Sequence, residues 1–115
     1  MKIMPLDGDT LSVTSGKIRA VVDGKEFVFE PSEVEQVLIV TTDLGPFEDD
    51  MCLVIRIDSE TTIIIMSEHP CYKSFLFDEL PTIISVDYEQ IIKASQCTEN
   101  AVFPIYKREQ TANPN

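Results

Sequence analysis

Apolar and polar residues alternate through the first third of the chain, run together in its middle, and take up a helical period after residue 70. Each pattern predicts a different element. Leu11 and Val13 alternate with polar neighbours, and beyond the turn signal Ser15-Gly16, Ile18, Ala20 and Val22 alternate with Lys17, Arg19 and Val21. Asp23-Gly24 then marks a tight hairpin, because a type I′ turn needs positive φ at both central positions. Phe27 and Phe29 follow on one face. The expectation is a three-stranded meander with one apolar side and one wetter side.

Glu30-Pro31-Ser32 breaks that run, and a short turn from Pro31 to Glu33 leads into a strand over 37–41. Residues 43–50 read as a loop, built around Gly45-Pro46 and aspartates. Strands over 51–57 and 61–66 follow, joined by Asp58-Ser59-Glu60. These central strands are β-branched and continuously apolar, a pattern that predicts cover on both faces.

From Pro70 the period changes. Tyr72, Phe75, Leu76 and Leu80 recur at helical spacing, with Pro70 suited to the first turn and Pro81 ending the segment. A second helix is expected from about Asp87 to Cys97, capped by Asp87 with Gln90 three residues on. Tyr88, Ile91, Ile92 and Ser95 would form its inward stripe. Residues 101–106 read as a last strand, which Pro104 places at a sheet edge or a bend. Residues 110–115 lack apolar anchors and are expected to be a flexible tail after a single domain over 1–109.

This order predicts an α+β fold: a curved antiparallel sheet of about seven strands, half-barrel or sandwich-like, with two helices near the C-terminus. Two helices cover one sheet face. The other needs the meander curling over it, or a second copy in a homodimer.

Composition narrows the function. The chain has 115 residues, enough for one core. Twenty acids against nine bases give a net charge of −11. That balance argues against nucleic acid, whose phosphates call for clustered Lys and Arg, and against anionic membrane surfaces. The 43% apolar content is too high for a disordered acidic tail. Asp7, Gly8 and Asp9 interrupt any leader-like apolar stretch, and no run approaches the ~20 apolar residues of a membrane span. A cytoplasmic location is therefore expected. Cys52, Cys71 and Cys97 are widely spaced, with no Cys-x-x-Cys, and read as three small buried hydrophobes rather than a zinc site.

Candidate chemistry is sparse. His69 and Cys71 are the residue types of a nucleophile pair, but Pro70 separates them and no oxyanion loop accompanies them. His69 reads more simply as a histidine at the start of a helix. The acids of 43–50 lack the spacing of a calcium loop and are flanked by strands, and Asp7-Gly8-Asp9 stands alone. Four glycines make no phosphate-cradling loop. The expectation is a non-catalytic protein with no cofactor and no metal.

Locating the charge is more informative. Residues 26–60 carry ten acids against Arg56 alone, whereas residues 1–25 are slightly basic. The loops of the central strands thus concentrate negative charge, suited to steering a basic partner. The expected partner-binding residues are Asp43, Phe47, Glu48, Asp49, Asp50, Asp58 and Glu60. Phe47, an aromatic in a charged loop, resembles a hot-spot anchor within a polar rim.

Three stretches carry a resemblance: Thr42-Asp43-Leu44 with Asp49-Asp50-Met51-Cys52-Leu53-Val54-Ile55, Ile65-Met66-Ser67-Glu68-His69-Pro70 before a helix, and Ala101-Val102-Phe103-Pro104. Over roughly residues 36–107 the chain resembles small acidic bacterial single-domain proteins of the toxin-immunity kind, including immunity proteins of contact-dependent growth inhibition. The resemblance is one of element order and implies no active-site residue. It implies an immunity protein that neutralises a basic toxin domain, such as a nuclease, through an acidic surface. The alternative is a homo-oligomeric binding or assembly module.

Overall fold

A computed structural model of the chain describes residues 1–42, 51–58 and 60–108. The loop expected over 43–50 and the tail expected over 110–115 lie outside the described residues. Both hairpin signals form the turns that their residues favour. Ser15 and Gly16 have φ of 54° and 75°, and Asp23 and Gly24 have 53° and 76°, the left-handed pair that a type I′ turn requires. They join β2 (Thr10–Thr14), β3 (Lys17–Val22) and β4 (Lys25–Phe29) into a three-stranded antiparallel sheet. Leu11, Ile18 and Ala20 lie buried on one side of it.

A turn of 3-10 helix over Pro31–Glu33 leads into β5 (Val34–Thr41), followed by β6 (Met51–Ile57) and β7 (Thr61–Met66). With β1 (Lys2–Ile3) and β8 (Ala101–Lys107) they form a five-stranded sheet in the order β1-β7-β6-β5-β8. The fold is α+β, with two sheets that do not close into a barrel. One feature departs from the antiparallel expectation: β1, too short to read from periodicity, pairs parallel to β7. At the opposite edge, β8 pairs only with β5 among the described residues, and its register shifts between Tyr106 and Pro104. Proline has no N–H to offer a further strand, so Pro104 suits this edge.

The first helical segment, α1, is a composite. An α turn over Tyr72–Ser74 widens into a π turn over Phe75–Glu79 and tightens into 3-10 over Leu80–Thr82. The Leu80 N–H donates to the Phe75 carbonyl, five residues back. Pro81 is the local reason: it has no N–H to continue the α ladder and its ring clashes with the carbonyl four residues back. The wide turn also keeps Phe75 and Leu80 on one face, and Tyr72, Phe75, Leu76 and Leu80 are all buried, as their spacing predicts.

The second helix, α2, spans Tyr88–Gln96, with the Asp87 carboxylate accepting from the Gln90 N–H at 3.3 Å. Its inward stripe differs from the expectation. Ile91 and Ala94 are buried, whereas Tyr88 and Ile92 are about half exposed and Ser95 faces solvent. The helix packs on β8 and β5 at the sheet's edge, not over its middle. A narrow contact face, with small Ala94 at its centre, is all that this position requires.

One continuous core results. Inward residues Val37, Ile39, Leu53, Ile55, Ile63 and Ile65 join Leu11, Ile18 and Ala20 of the meander and the buried side of both helical segments. The meander therefore adds to the helical side of the sheet: β2 lies against the π turn, and the Val13 N–H donates to Glu79 Oε1 at 2.7 Å. It does not supply cover for the other face.

That outer face is laid out in three cross-strand rows. The first is Lys2, Thr62, Arg56, Gln36 and Lys107. The second is Ile64, Val54, Leu38 and Pro104, and the third is Met66, Cys52, Val40 and Val102. None of these residues belongs to the core cluster or packs against it. Cys52, Cys71 and Cys97 are half-buried rather than buried, and no disulfide joins them.

Candidate functional site

Five of the described acids lie where four segments of chain meet at one end of the five-stranded sheet. Pro31–Glu33 enters β5 there, β6 ends beside Asp58, β7 begins beside Glu60, β8 ends there, and the Met1 ammonium donates to the Glu60 carbonyl. Backbone hydrogen bonds lock the segments together. The Asp58 N–H donates to the Glu33 carbonyl at 3.0 Å, and the Arg108 N–H to the Glu35 carbonyl at 2.8 Å. Asp58 takes φ of 50° to turn the chain. Aspartate tolerates this left-handed conformation better than most residues.

Arg108 organises this end. Its guanidinium lies 3.7 Å from Glu35 and 3.9 Å from Asp58, and donates to the Ser32 carbonyl at 2.8 Å. Glu30 pairs with Lys17 at 3.1 Å, while the Glu33 carboxylate accepts from the Glu30 N–H at 2.8 Å. These are exposed pairs, worth ~0–1 kcal/mol each; their effect is to hold the carboxylates in place. Glu60 has no ion-pair partner among the described residues. Five carboxylates from two stretches of chain (Glu30, Glu33 and Glu35; Asp58 and Glu60) thus share one end of the molecule with Lys17 and Arg108, which pair with them, and with Lys2, Arg56 and Lys107 on the adjacent row of the sheet.

Of the seven residues expected to bind a partner, Asp58 and Glu60 are at this end. Asp43, Phe47, Glu48, Asp49 and Asp50 lie outside the described residues. Their flanking residues, Thr42 and Met51, occupy the far end of β5 and β6. The seven residues of β6 separate the two ends by about 20 Å. Glu30, Glu33, Glu35 and Arg108 were not among the expected site residues. Their signal was faint: acids beside a Pro turn, and an arginine just past the last apolar segment.

His69 and Cys71 have a structural arrangement. The His69 ring is buried; Nε2 donates to the Leu6 carbonyl at 2.8 Å, and Nδ1 accepts from the Cys71 N–H at 3.0 Å. Both nitrogens are taken up by backbone groups, leaving neither to receive the thiol proton. The same clasp explains Asp9. Its carboxylate accepts from the Leu6 N–H at 2.7 Å and the Asp23 N–H at 3.0 Å. These two bonds hold its pKa below the usual aspartate value. Asp7-Gly8-Asp9 is therefore a turn that ties the N-terminal segment to the meander.

An apolar hollow of about 320 Å³ lies between the first helical segment, α2 and the Met51 end of the sheet, lined by Ile39, Met51, Tyr72, Leu76 and Ile91, with Glu68 and Lys73 also on its wall. Among the described residues, no group of three His, Cys, Asp or Glu side chains could hold a metal ion, and no helix is long and apolar enough to cross a membrane. Comparisons with protein-family models, curated proteins and solved structures give no match.

Proposed function

We propose that the chain is a non-catalytic binding protein, and specifically an immunity protein that neutralises a basic toxin domain, such as a nuclease. The observation that supports this reading is the gathering of Glu30, Glu33, Glu35, Asp58 and Glu60 at one end of the sheet by backbone contacts and Arg108. Carboxylates held on a rigid scaffold occupy a cationic groove with little ordering cost, and their field speeds encounter. The acids of the β5–β6 connection, Asp43, Glu48, Asp49 and Asp50, with Phe47 as anchor, are the second half of the proposal.

The test takes as probe any toxin domain found encoded beside this chain, with two variants, Glu33→Lys/Asp58→Lys/Glu60→Lys and Glu48→Lys/Asp49→Lys/Asp50→Lys. Association is followed at about 50 mM and about 500 mM NaCl, on either side of physiological screening. Reversal of the contacting end slows association by roughly tenfold or more at low salt, and the difference shrinks at high salt. The variant that slows identifies the end that binds. Unchanged association for both would overturn the reading.

A further inference from the structure

We infer that β4 is a strand-addition site: its open edge takes an extended segment of a partner protein in which two basic residues flank an uncharged one at alternate positions. The hairpin defines the edge. The tight turn at Asp23-Gly24 makes Val22 and Lys25 exchange backbone hydrogen bonds, so Phe27 and Phe29 also turn their N–H and C=O groups toward Ala20 and Ile18 on β3. Glu26 and Val28 therefore turn theirs away from β3, and β4 is the last strand of the meander sheet. Among the described residues, no hydrogen bond reaches these N–H and C=O groups. The other sheet edges offer less. β2 directs its Val13 N–H to Glu79 Oε1, β8 carries Pro104 and its Ile105 carbonyl accepts from the Asp87 N–H at 2.8 Å, and β1 has only two residues. The open stretch of β4 stops at Glu30, whose N–H and carbonyl are both taken up by Glu33.

Side chains along the edge select the occupant. Glu26, Val28 and Glu30 alternate along the outer face of the meander. Each carboxylate pairs on one side with a base of β3, Glu26 with Arg19 and Glu30 with Lys17, and each remains about half exposed. An added strand sets its own side chains on their open side, where cations continue the cross-strand alternation of charge and acids are repelled. Val28, also half exposed, faces the uncharged residue between those cations. On the inner face the neighbours are Phe27 and Phe29, half-buried against the core, which favour apolar residues at the intervening positions. Lys25 lies outside this span, at the turn. The occupant therefore reads basic, apolar, uncharged, apolar, basic. Charges on an edge strand discourage pairing with wholly apolar strands, which leaves a charge-matched segment as the partner.

The inference is independent of toxin neutralisation, and its test contains no toxin. The full chain, isotope-labelled, is titrated by NMR at about 50 mM NaCl with a short capped peptide, Thr-Lys-Val-Thr-Val-Lys-Thr. Half-saturation is expected at roughly 0.1–1 mM, since a few backbone hydrogen bonds and exposed ion pairs give weak binding. The amides of Glu26 and Val28 shift most, and their exchange with solvent slows. N-methylation of the central Thr, whose N–H points at β4 when the lysines stand beside Glu26 and Glu30, abolishes binding. N-methylation of the Val residues, whose N–H groups point away, changes it by less than about twofold. Glu26→Lys/Glu30→Lys weakens binding by roughly tenfold or more, as does exchange of the peptide's lysines for glutamates. Absence of binding up to about 5 mM overturns the inference, as do shifts centred on another element, equal loss from either methylation, or indifference to the charge exchanges. Concentration-dependent shifts of the Glu26 and Val28 amides without peptide would give the edge to a second copy and overturn it as well.

Discussion

The two faces of the five-stranded sheet are built from the same strands and nearly the same residue types, yet only one is a core. On β5, β6 and β7 the inward positions Ile39, Leu53, Ile55, Ile63 and Ile65 are at most 1% exposed. Their immediate neighbours Leu38, Val54 and Ile64 are half-buried and stand outside the core cluster of the described residues. Composition therefore does not distinguish a core face from an open one. Position relative to the other elements does: the meander, the composite helix and α2 all collect on one side. A strand that is apolar on both faces carries a surplus that the described core does not take in.

The largest effect that sharpens this contrast is truncation at adjacent positions. Ile55→Ala empties part of a fully packed site and should cost about 3–4 kcal/mol. Val54→Ala, one residue away on the open face, should cost under about 1 kcal/mol at concentrations that keep the chain monomeric. Urea denaturation of both variants measures the difference, and equal costs would mean that both faces are buried.

A smaller effect is expected where the inner face is closed off by the His69 clasp. His69→Ala leaves the Leu6 carbonyl and the Cys71 N–H without their partner and should lower stability by about 2–3 kcal/mol. The signature beyond stability is local: amide exchange should quicken around Leu6 and Cys71 while the centre of β6 stays protected. Uniform loss of protection would show that the clasp is no separate unit.

The smallest effect is acid sensitivity at Asp9. Its folded pKa is lowered by the Leu6 and Asp23 N–H groups. Stability from this carboxylate is therefore fully present above the unfolded value of 3.8 and is lost as pH falls through the lower folded value. Asp9→Asn should flatten that part of the acid unfolding curve while leaving the outer face unchanged. An identical curve below pH 3.8 would remove Asp9 from the clasp.

Much of the local structure was legible in the residues. Ser15-Gly16 and Asp23-Gly24 specify their turns because few other pairs tolerate two successive positive φ values. The limits of 51–57 and 61–66, the Asp87 cap and the buried set Tyr72, Phe75, Leu76 and Leu80 follow from short-range periodicity and capping. The phase of α2 was not legible, since Ile91 and Ile92 are equally apolar and only the position of β8 selects Ile91. Nor was the acidic end, which depends on Arg108 meeting Glu35 and Asp58 across strands far apart in the chain.

The sequence by itself determined which residues share a face, because side chains alternate along a strand and recur along a helix by backbone geometry alone. It also determined where the chain turns and where its charge is concentrated. Only the tertiary structure decided which apolar face is covered, which carboxylates stand together and which bases line up on the open side. Those outcomes depend on strand order and on the side to which each connection crosses, and a period-two pattern is the same for either side.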